Sequence, residues 1–322
     1  MSNEVYGPVL NVNGTRFELD GKPVFLLGCS YYGALGIEND AALVEDLDDL
    51  AARGVNWIRI WATWNAFDHD ISAVAPTGRV REPYMERLKT ICRAAGKRRM
   101  VVDVTVSRGE APTAPSDLPT HVAVIEALAR ELRPFRNVYF DVGNERNIGD
   151  HRHVPMAEVA ELIRRVKAID TERLCTASHG GDISSEDVRR YLIEAKVDFL
   201  TPHRGRSAES PGETAETTRN YLRTMQELRL SAPIHYQEPF RRGYGDWEPT
   251  AGDFRSDLEA ARAAGAAGWC FHNGSTRPAA EERPRRSFDM RPVEGRLFSQ
   301  LDAEEREFMA YLPKAVKNHQ EK

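Results

Sequence analysis

Amphipathic helical segments and short apolar runs alternate along most of the chain. Leucines in 43–50 have the i, i+4, i+7 spacing of a helix, which is expected to end near Gly54, and the apolar run 55–61 follows. Segments 84–95 and 254–264 repeat this pattern, each with a glycine and then a β-branched or apolar run. The pattern predicts eight strands, near 24–28, 55–61, 100–106, 137–143, 173–178, 197–202, 233–238 and 267–272.

Alternating strands and helices indicate a parallel sheet with right-handed crossovers. Eight such units favour a closed (β/α)8 TIM barrel, with a doubly wound sheet as the alternative. The dinucleotide-binding form of that alternative is weakened because no GxGxxG follows the first predicted strand. Residues 9–23 contain "NG" and "DGKP" turns and predict an N-terminal β-hairpin that covers the barrel bottom. We expect one domain over residues 1–322, with a long β8–α8 loop at 274–296.

The composition excludes several classes of function. The 322 residues carry a net charge of -5, which disfavours a general nucleic-acid binder. There is no apolar run of about 18 residues, so no membrane span is expected. The first residues lack the features of a signal peptide, which indicates a cytoplasmic protein unless a leader has been trimmed away. The four cysteines show no CxxC spacing and predict free thiols, and we expect no metal and no cofactor.

Two carboxylates stand where predicted strands end, the face on which barrels of this type hold their chemistry. The run "NVYFDVGNERN" ends its strand with Asn144 and Glu145, and "PIHYQEPF" ends another with Glu238. A single glutamate in such a place often caps a helix or pairs with an arginine. Two carboxylates that face each other across a cleft are the machinery of glycoside hydrolysis, so the pair predicts a catalytic site.

These motifs resemble the clan A glycoside hydrolases, retaining (β/α)8 enzymes that include the family 5 cellulases and mannanases. "DVGNERN" resembles their Asn-Glu motif after strand 4, "PIHYQEPF" resembles strand 7 with the nucleophile, and "GVNWIRIWATW" resembles strand 2. The resemblance implies that Glu145 is the general acid/base and Glu238 the nucleophile. It also implies that Asn144 binds the sugar 2-hydroxyl and Arg59 orients Glu238, and it places His203 on the family 5 histidine after strand 6.

Three of eight expected positions depart from the family 5 pattern. Thr105 stands where the family usually has a histidine, Gly205 where it has a tyrosine, and His272 where it has a tryptophan. The missing tyrosine normally hydrogen-bonds the nucleophile. By strand alternation we expect Tyr236 to point the same way as Glu238 and to replace that tyrosine. The five positions that match support the clan, and the three departures leave membership of family 5 open.

Aromatic residues and one histidine are further candidates for substrate contact. Aromatic faces can stack on sugar rings, although loop packing is the alternative for each of them. His179 ends the fifth predicted strand and is equally consistent with substrate contact and with a structural, hydrogen-bonded role. The aromatic candidates are Tyr31, Tyr32, Trp61, Trp64, Tyr244 and Trp247.

Arginines closely follow the predicted strand ends in a chain of negative net charge. Guanidinium groups bind carboxylate, sulfate or phosphate in a bidentate fork, which favours an anionic sugar such as a uronic acid. The alternative is that neighbouring carboxylates absorb these charges as surface ion pairs. This predicted basic rim comprises Arg108, Arg146, Arg204, Arg206, Arg241 and Arg242, with Arg277, Arg283, Arg285 and Arg286 in the 274–296 loop.

The sequence therefore favours a retaining β-glycosidase that acts on a glycoside or oligosaccharide. A retaining mechanism predicts carboxyl groups about 5–5.5 Å apart, against about 6.5–9.5 Å for inversion. Two alternatives remain: a barrel lyase or isomerase that uses Glu145 as a base, and a sugar-binding pseudoenzyme. The identity of the sugar, its linkage and endo or exo cutting stay open.

Overall fold

Short strands and longer helices alternate in the computed structural model, which describes residues 5–66, 69–273, 290 and 296–320. The strands are β1 Leu10–Asn13, β2 Arg16–Leu19, β3 Lys22–Val24, β4 Leu26–Ser30, β5 Trp57–Trp61, β6 Asn65–Ala66, β7 His69–Asp70, β8 Val101–Thr105, β9 Val138–Asp141, β10 Cys175–Thr176, β11 His235–Tyr236 and β12 Gly268–Phe271. The helices are α1 Asp40–Ala52, α2 Tyr84–Lys97, α3 Leu118–Glu131, α4 Met156–Ile169, α5 Ser185–Arg189, α6 Ser210–Glu227, α7 Ala251–Ala264 and α8 Ala303–Gln320.

Seven of the strands form one parallel sheet in the order β10-β9-β8-β5-β4-β12-β11. The predicted sixth strand of the barrel is reduced to two parallel bridges. Leu200 pairs with Ile234 just before β11, and Pro202 pairs with His179 just after β10. These bridges join the two edges of the sheet, so the predicted (β/α)8 barrel is confirmed.

The predicted N-terminal hairpin is present as a three-stranded antiparallel sheet in the order β1-β2-β3. The ring of Phe17 meets Phe199 edge-on with centroids 5.0 Å apart and lies 5.7 Å from the ring of His235. Trp57 and Tyr139 belong to the same buried cluster inside the barrel. The small sheet therefore closes the barrel where its strands begin and leaves the opposite end to the site.

Of two glycines predicted to end helices, one does so and the other does not. Gly265 follows α7 with a φ of 98°, the left-handed conformation in which glycine ends a helix. Gly96, expected to end the second helix, lies inside α2, and Arg99 takes the left-handed φ of 58° instead. A Cβ on residue 96 would lie 2.9 Å from the Cα of Gly7. Glycine is therefore needed at 96 for the close approach of the N-terminal segment.

A second and larger core packs the helices against the outside of the barrel. All four cysteines are free and buried, as the sequence predicted. Within the described ranges, no helix combines the length and the apolar character that crossing a bilayer requires. Of the predicted 274–296 loop, only Met290 and Arg296 lie within the described residues.

Candidate active site

A cleft of about 250 Å³ opens where the barrel strands end. Its aromatic walls are Tyr32, Trp61, Trp64 and Tyr244. Its polar lining consists of Asn144, Glu145, Arg152, Arg206, Glu238 and Arg241. Both predicted carboxylates therefore face one cleft, together with aromatic surface and three arginines.

Glu145 reaches the cleft from a strained turn that follows β9. Its φ is 45°, a left-handed value that costs a residue with a side chain and is typical of functional sites. The backbone N–H of Glu145 donates a hydrogen bond to the Ser178 hydroxyl at 3.0 Å. One oxygen of Asp141 accepts hydrogen bonds from the backbone N–H groups of Gly143, at 3.2 Å, and Ser178, at 3.0 Å. The ends of β9 and β10 are thereby tied together, and the turn holds Glu145 toward the cleft.

Glu238 is almost completely buried and is held at both oxygens. Arg59 Nη1 and the Tyr32 hydroxyl both donate to Oε1, the latter at 2.8 Å. Arg206 Nη2 donates to Oε2 at 2.9 Å, and His272 Nε2 lies 3.2 Å from the same oxygen. Three donors therefore fix the orientation of this carboxylate, and His272 lies beside it.

Arg59 is fully buried and connects the two strand ends that carry the glutamates. Its Nη2 donates to Asp141 at 3.0 Å and to the side-chain oxygen of Asn144 at 2.9 Å. Its Nε donates to the Thr105 hydroxyl at 3.1 Å and lies 3.2 Å from Asp103. Thr105, at one of the departures from the family 5 pattern, therefore orients this arginine.

A polar layer lies below Arg59 inside the barrel. Gln237 donates to Asp103 at 2.7 Å, and the Tyr139 hydroxyl donates to the same carboxylate at 3.0 Å. Burial raises the pKa of Asp103 to about 8, although the charge of Arg59 works against this rise. The layer separates the cleft from the aromatic base of the barrel.

The two catalytic candidates lie close together, with His203 beside both. One carboxylate oxygen of each glutamate and a ring nitrogen of His203 all lie within 4.8 Å of one another. His203 Nδ1 is 3.3 Å from Glu145 Oε1 and 3.6 Å from Glu238 Oε2. Arg152 also donates to Glu145, at 2.5 Å to Oε2.

The surroundings make both carboxyl groups more acidic than usual. Burial alone would raise the pKa of Glu238, but the imidazoles and guanidiniums around it bring the pKa well below its usual range. Burial also acts to raise the pKa of Glu145, and the hydrogen bond and charge of His203 together with the charge of Arg206 outweigh it. The ionised form is therefore favoured at both positions in the free protein.

Glu145, His203 and Glu238 also have the spacing of metal ligands. Arg206 Nη2, however, lies 2.9 Å from Glu238 and 3.5 Å from Glu145. Arg59 donates to the other oxygen of Glu238. A metal ion at this point would meet two guanidinium cations that already bind the same carboxylates, so the donor set fits a metal poorly.

The structure brings most of the predicted substrate contacts to the cleft. Asn144, Trp61 and Trp64 line it directly. His272 lies beside Glu238, and its Nδ1 is 3.0 Å from both the Ser30 and the Tyr32 hydroxyls.

The structure places the tyrosines Tyr31 and Tyr236 outside the cleft lining. Tyr31 is buried and donates to Asp46 of α1 at 2.9 Å, so the cleft wall is formed by its neighbour Tyr32. The Tyr236 hydroxyl lies 2.6 Å from that of Thr218 in α6, on the outer side of the barrel. Strand pairing ends at Tyr236, so strand alternation does not extend to Glu238, and Tyr32 supplies the hydroxyl that contacts it.

Arg204 and His179, the other predicted substrate contacts, also lie outside the cleft lining. Arg204 has a φ of 60°, and its guanidinium turns to α6, where it donates to the Thr214 hydroxyl at 2.6 Å. His179 Nδ1 is 3.1 Å from the Tyr191 hydroxyl, and Nε2 is 3.2 Å from the Asn147 amide. Both residues therefore have structural partners, which for His179 was the alternative interpretation.

The predicted basic rim divides into two groups. Arg108 pairs with Glu158, Arg242 pairs with Asp302, and Arg146 packs over a tyrosine ring, all away from the cleft lining. Arg206 and Arg241 do line the cleft, and the sequence interpretation missed Arg152. The four arginines predicted in the 274–296 loop lie outside the described residues. A signal for Arg152 was its place seven residues after Glu145 in the same loop.

No family model and no curated protein matches this chain. Solved structures do resemble it along nearly its whole length. A glycoside hydrolase has a TM-score of 0.70 at 18% identity, over 98% of this chain and 75% of that one. A family 5 mannosidase from Rhizomucor miehei has a TM-score of 0.66 at 12% identity, with 99% of both chains covered.

An endo-1,4-β-D-mannanase from Thermotoga petrophila has a TM-score of 0.62 at 11% identity, over 91% of this chain and 99% of that one. The structural neighbours thus include glycoside hydrolases of family 5. At these identities the similarity establishes the barrel fold.

Proposed function

We propose that this protein is a retaining β-glycosidase that uses Glu238 as nucleophile and Glu145 as general acid/base. The observation that carries the proposal is the pair of carboxylates facing one cleft, with oxygens within 4.8 Å of each other. The 4.8 Å limit refers to one oxygen of each carboxylate, and carboxylates this close are in keeping with the retaining geometry, in which the carboxyl groups lie about 5–5.5 Å apart. Inversion needs a wider gap because a water molecule must fit between the carboxylate and the sugar.

The environment of Glu238 suits a nucleophile. A nucleophilic carboxylate must be ionised and aimed at the anomeric carbon. Arg59, Tyr32 and Arg206 hold both of its oxygens, and its pKa lies well below the usual range. Glu238 would attack the anomeric carbon and form a covalent glycosyl ester while the leaving oxygen departs.

The environment of Glu145 suits a residue that gives and takes a proton. It is less buried than Glu238, and its oxygens contact His203 and Arg152. In the first step its carboxyl proton would pass to the leaving oxygen. In the second step the carboxylate would take a proton from the water that attacks the ester and releases the sugar.

The substrate class follows from the lining and from the neighbours. Trp61, Trp64 and Tyr244 offer aromatic faces of the kind on which sugar rings stack. The similar structures include a family 5 mannosidase and an endo-1,4-β-D-mannanase, so β-mannosides and β-mannan oligosaccharides are the first substrates to test.

The stereochemistry of hydrolysis tests the proposal directly. Aryl β-mannosides, β-glucosides and β-galactosides would be hydrolysed while proton NMR follows the first anomer released. We expect the β-anomer first, with mutarotation to the α-anomer later. First release of the α-anomer would contradict the retaining mechanism, and no hydrolysis across β-glycosides, including uronides, would contradict the glycosidase itself.

A further inference from the structure

The three arginines of the cleft lining differ in how their charges are compensated. Arg152 pairs with Glu145 and, at 2.8 Å, with Asp150. Arg206 pairs with Glu238 at 2.9 Å. Arg241 has no hydrogen bond and no ion pair within the described ranges, and its Nε is buried without a partner.

Arg241 nevertheless lies among charged groups. Its guanidinium carbon is 4.6 Å from the centroid of the Tyr244 ring, and that of Arg206 is 4.5 Å from the same centroid. Burial and the charge of Arg206 lower the pKa of Arg241, although Glu238 acts in the opposite direction. A half-buried cation beside a second cation is costly unless an anion accompanies it.

The cleft carries an excess of positive charge at the moment of catalysis. Its described lining holds three arginines and two glutamates, and Asp150 outside the lining balances Arg152. When Glu145 carries the proton that a general acid needs, one guanidinium is left without a compensating carboxylate. An anionic group on the substrate would offset this excess in the state that reacts.

We propose that Arg241 and Arg206 bind an anionic group of the substrate, carried by the sugar that lies beside Glu238. Carboxylate, sulfate and phosphate share the required chemistry, because each accepts paired N–H bonds from a guanidinium fork. This inference rests on the proposed function for its substrate class, and it places the anion site on residues 206 and 241 and not on the predicted Arg204.

Turnover measurements test the site. We would compare kcat/KM for an aryl β-glucoside and mannoside with the matching uronides and 6-sulfates, in wild type, Arg241→Ala and Arg241→Lys. We expect wild type to prefer at least one anionic series by about tenfold or more, and Arg241→Ala to lose most of that preference. Arg241→Lys should retain part of it, since a lysine keeps the charge but not the fork.

A matched control variant removes an arginine charge at a site outside the cleft lining. Arg164 on α4 is exposed and pairs with Glu161, so Arg164→Ala should keep the wild-type preference. A preference for neutral substrates in wild type, or an anionic preference that Arg241→Ala leaves intact, would overturn the inference. Uronides and sulfates are measured as separate substrate series, so the series that wild type prefers identifies the kind of anion.

Equilibrium binding separates the inference from the proposed function. Calorimetry would measure the affinity of glucuronate, glucose 6-sulfate and glucose for wild type and Arg241→Ala. Arg241-dependent binding of an anion without hydrolysis of any glycoside would support the anion site and contradict the glycosidase. Hydrolysis without Arg241-dependent anion binding or preference would support the glycosidase and contradict the anion site.

Discussion

The loop after β9 and the loop after β11 each deliver a glutamate to the cleft, but they hold it differently. Glu238 is locked by donors at both oxygens, among them Arg59 and Tyr32. Glu145 stands on a left-handed turn and contacts His203 and Arg152. A fixed, ionised carboxylate suits attack on carbon, whereas a more accessible one suits proton transfer. This difference between the loops is the basis on which we propose the two roles.

The largest effect should come from removing the carboxylate of the β11 loop. Glu238→Ala should lower kcat/KM by more than about 10⁴-fold for every substrate, because no glycosyl ester can form. Steady-state kinetics on good and poor leaving groups would measure this. Substantial activity of the variant on poor leaving groups would reverse the assignment of roles.

Removing the carboxylate of the β9 loop should give a loss that depends on the leaving group. Glu145→Ala should lose about 10²–10⁴-fold on substrates whose leaving group needs a proton, and much less on activated aryl glycosides. Azide should restore turnover of the activated substrates by attacking the ester, and the β-glycosyl azide can be identified by NMR. Equal losses on both substrate classes, with no azide product, would exclude Glu145 as the acid/base.

Substitution of two adjacent tyrosines should separate an effect on activity from an effect on stability. Tyr32→Phe removes the 2.8 Å bond to Glu238 and should lower kcat/KM by about 10–100-fold. Tyr31→Phe removes the 2.9 Å bond to Asp46 and should lower the free energy of unfolding by about 1–3 kcal/mol with near wild-type kinetics. Kinetics and denaturant unfolding of both variants would check this, and the reverse pattern would show that the tyrosines are misassigned.

The pH profile should respond to Arg206, which acts on both glutamates. Burial acts to raise the pKa of each carboxyl group, but the surrounding histidines and Arg206 lower the pKa by more than burial raises it. In the proposed mechanism activity requires ionised Glu238 and protonated Glu145, so both limbs of the kcat/KM profile should lie at acidic pH. Arg206→Met should move both limbs to higher pH, because the pKa values of both glutamates rise.

The control for this shift is a second charge-matched variant. Arg164→Met removes an exposed guanidinium from α4 and should leave both limbs in place. Limbs that stay fixed in Arg206→Met, measured on a neutral activated substrate, would show that Arg206 does not set the acidity of the pair.

The barrel and the two catalytic candidates could be predicted because they follow from periodicity and from strand ends. The side chains beyond those ends depend on backbone turns that periodicity does not encode. A 3₁₀ turn begins at Tyr32, so Tyr31 and Tyr32 diverge toward the scaffold and the cleft. The left-handed φ at Arg204 likewise turns that arginine to α6, while Arg206 reaches Glu238. Tyr32 was therefore among the aromatic candidates of the sequence, but its contact with Glu238 was not predicted.

Trapping the covalent intermediate tests the central claim most directly. The wild-type protein would be incubated with activated 2-deoxy-2-fluoro β-glycosides of the neutral and uronic series, then digested for peptide mass spectrometry. We expect one sugar attached per chain, on the peptide that contains Glu238, and no adduct in Glu238→Ala. An adduct on Glu145, or turnover of a reactive member of the panel by a route that forms no ester, would contradict the account.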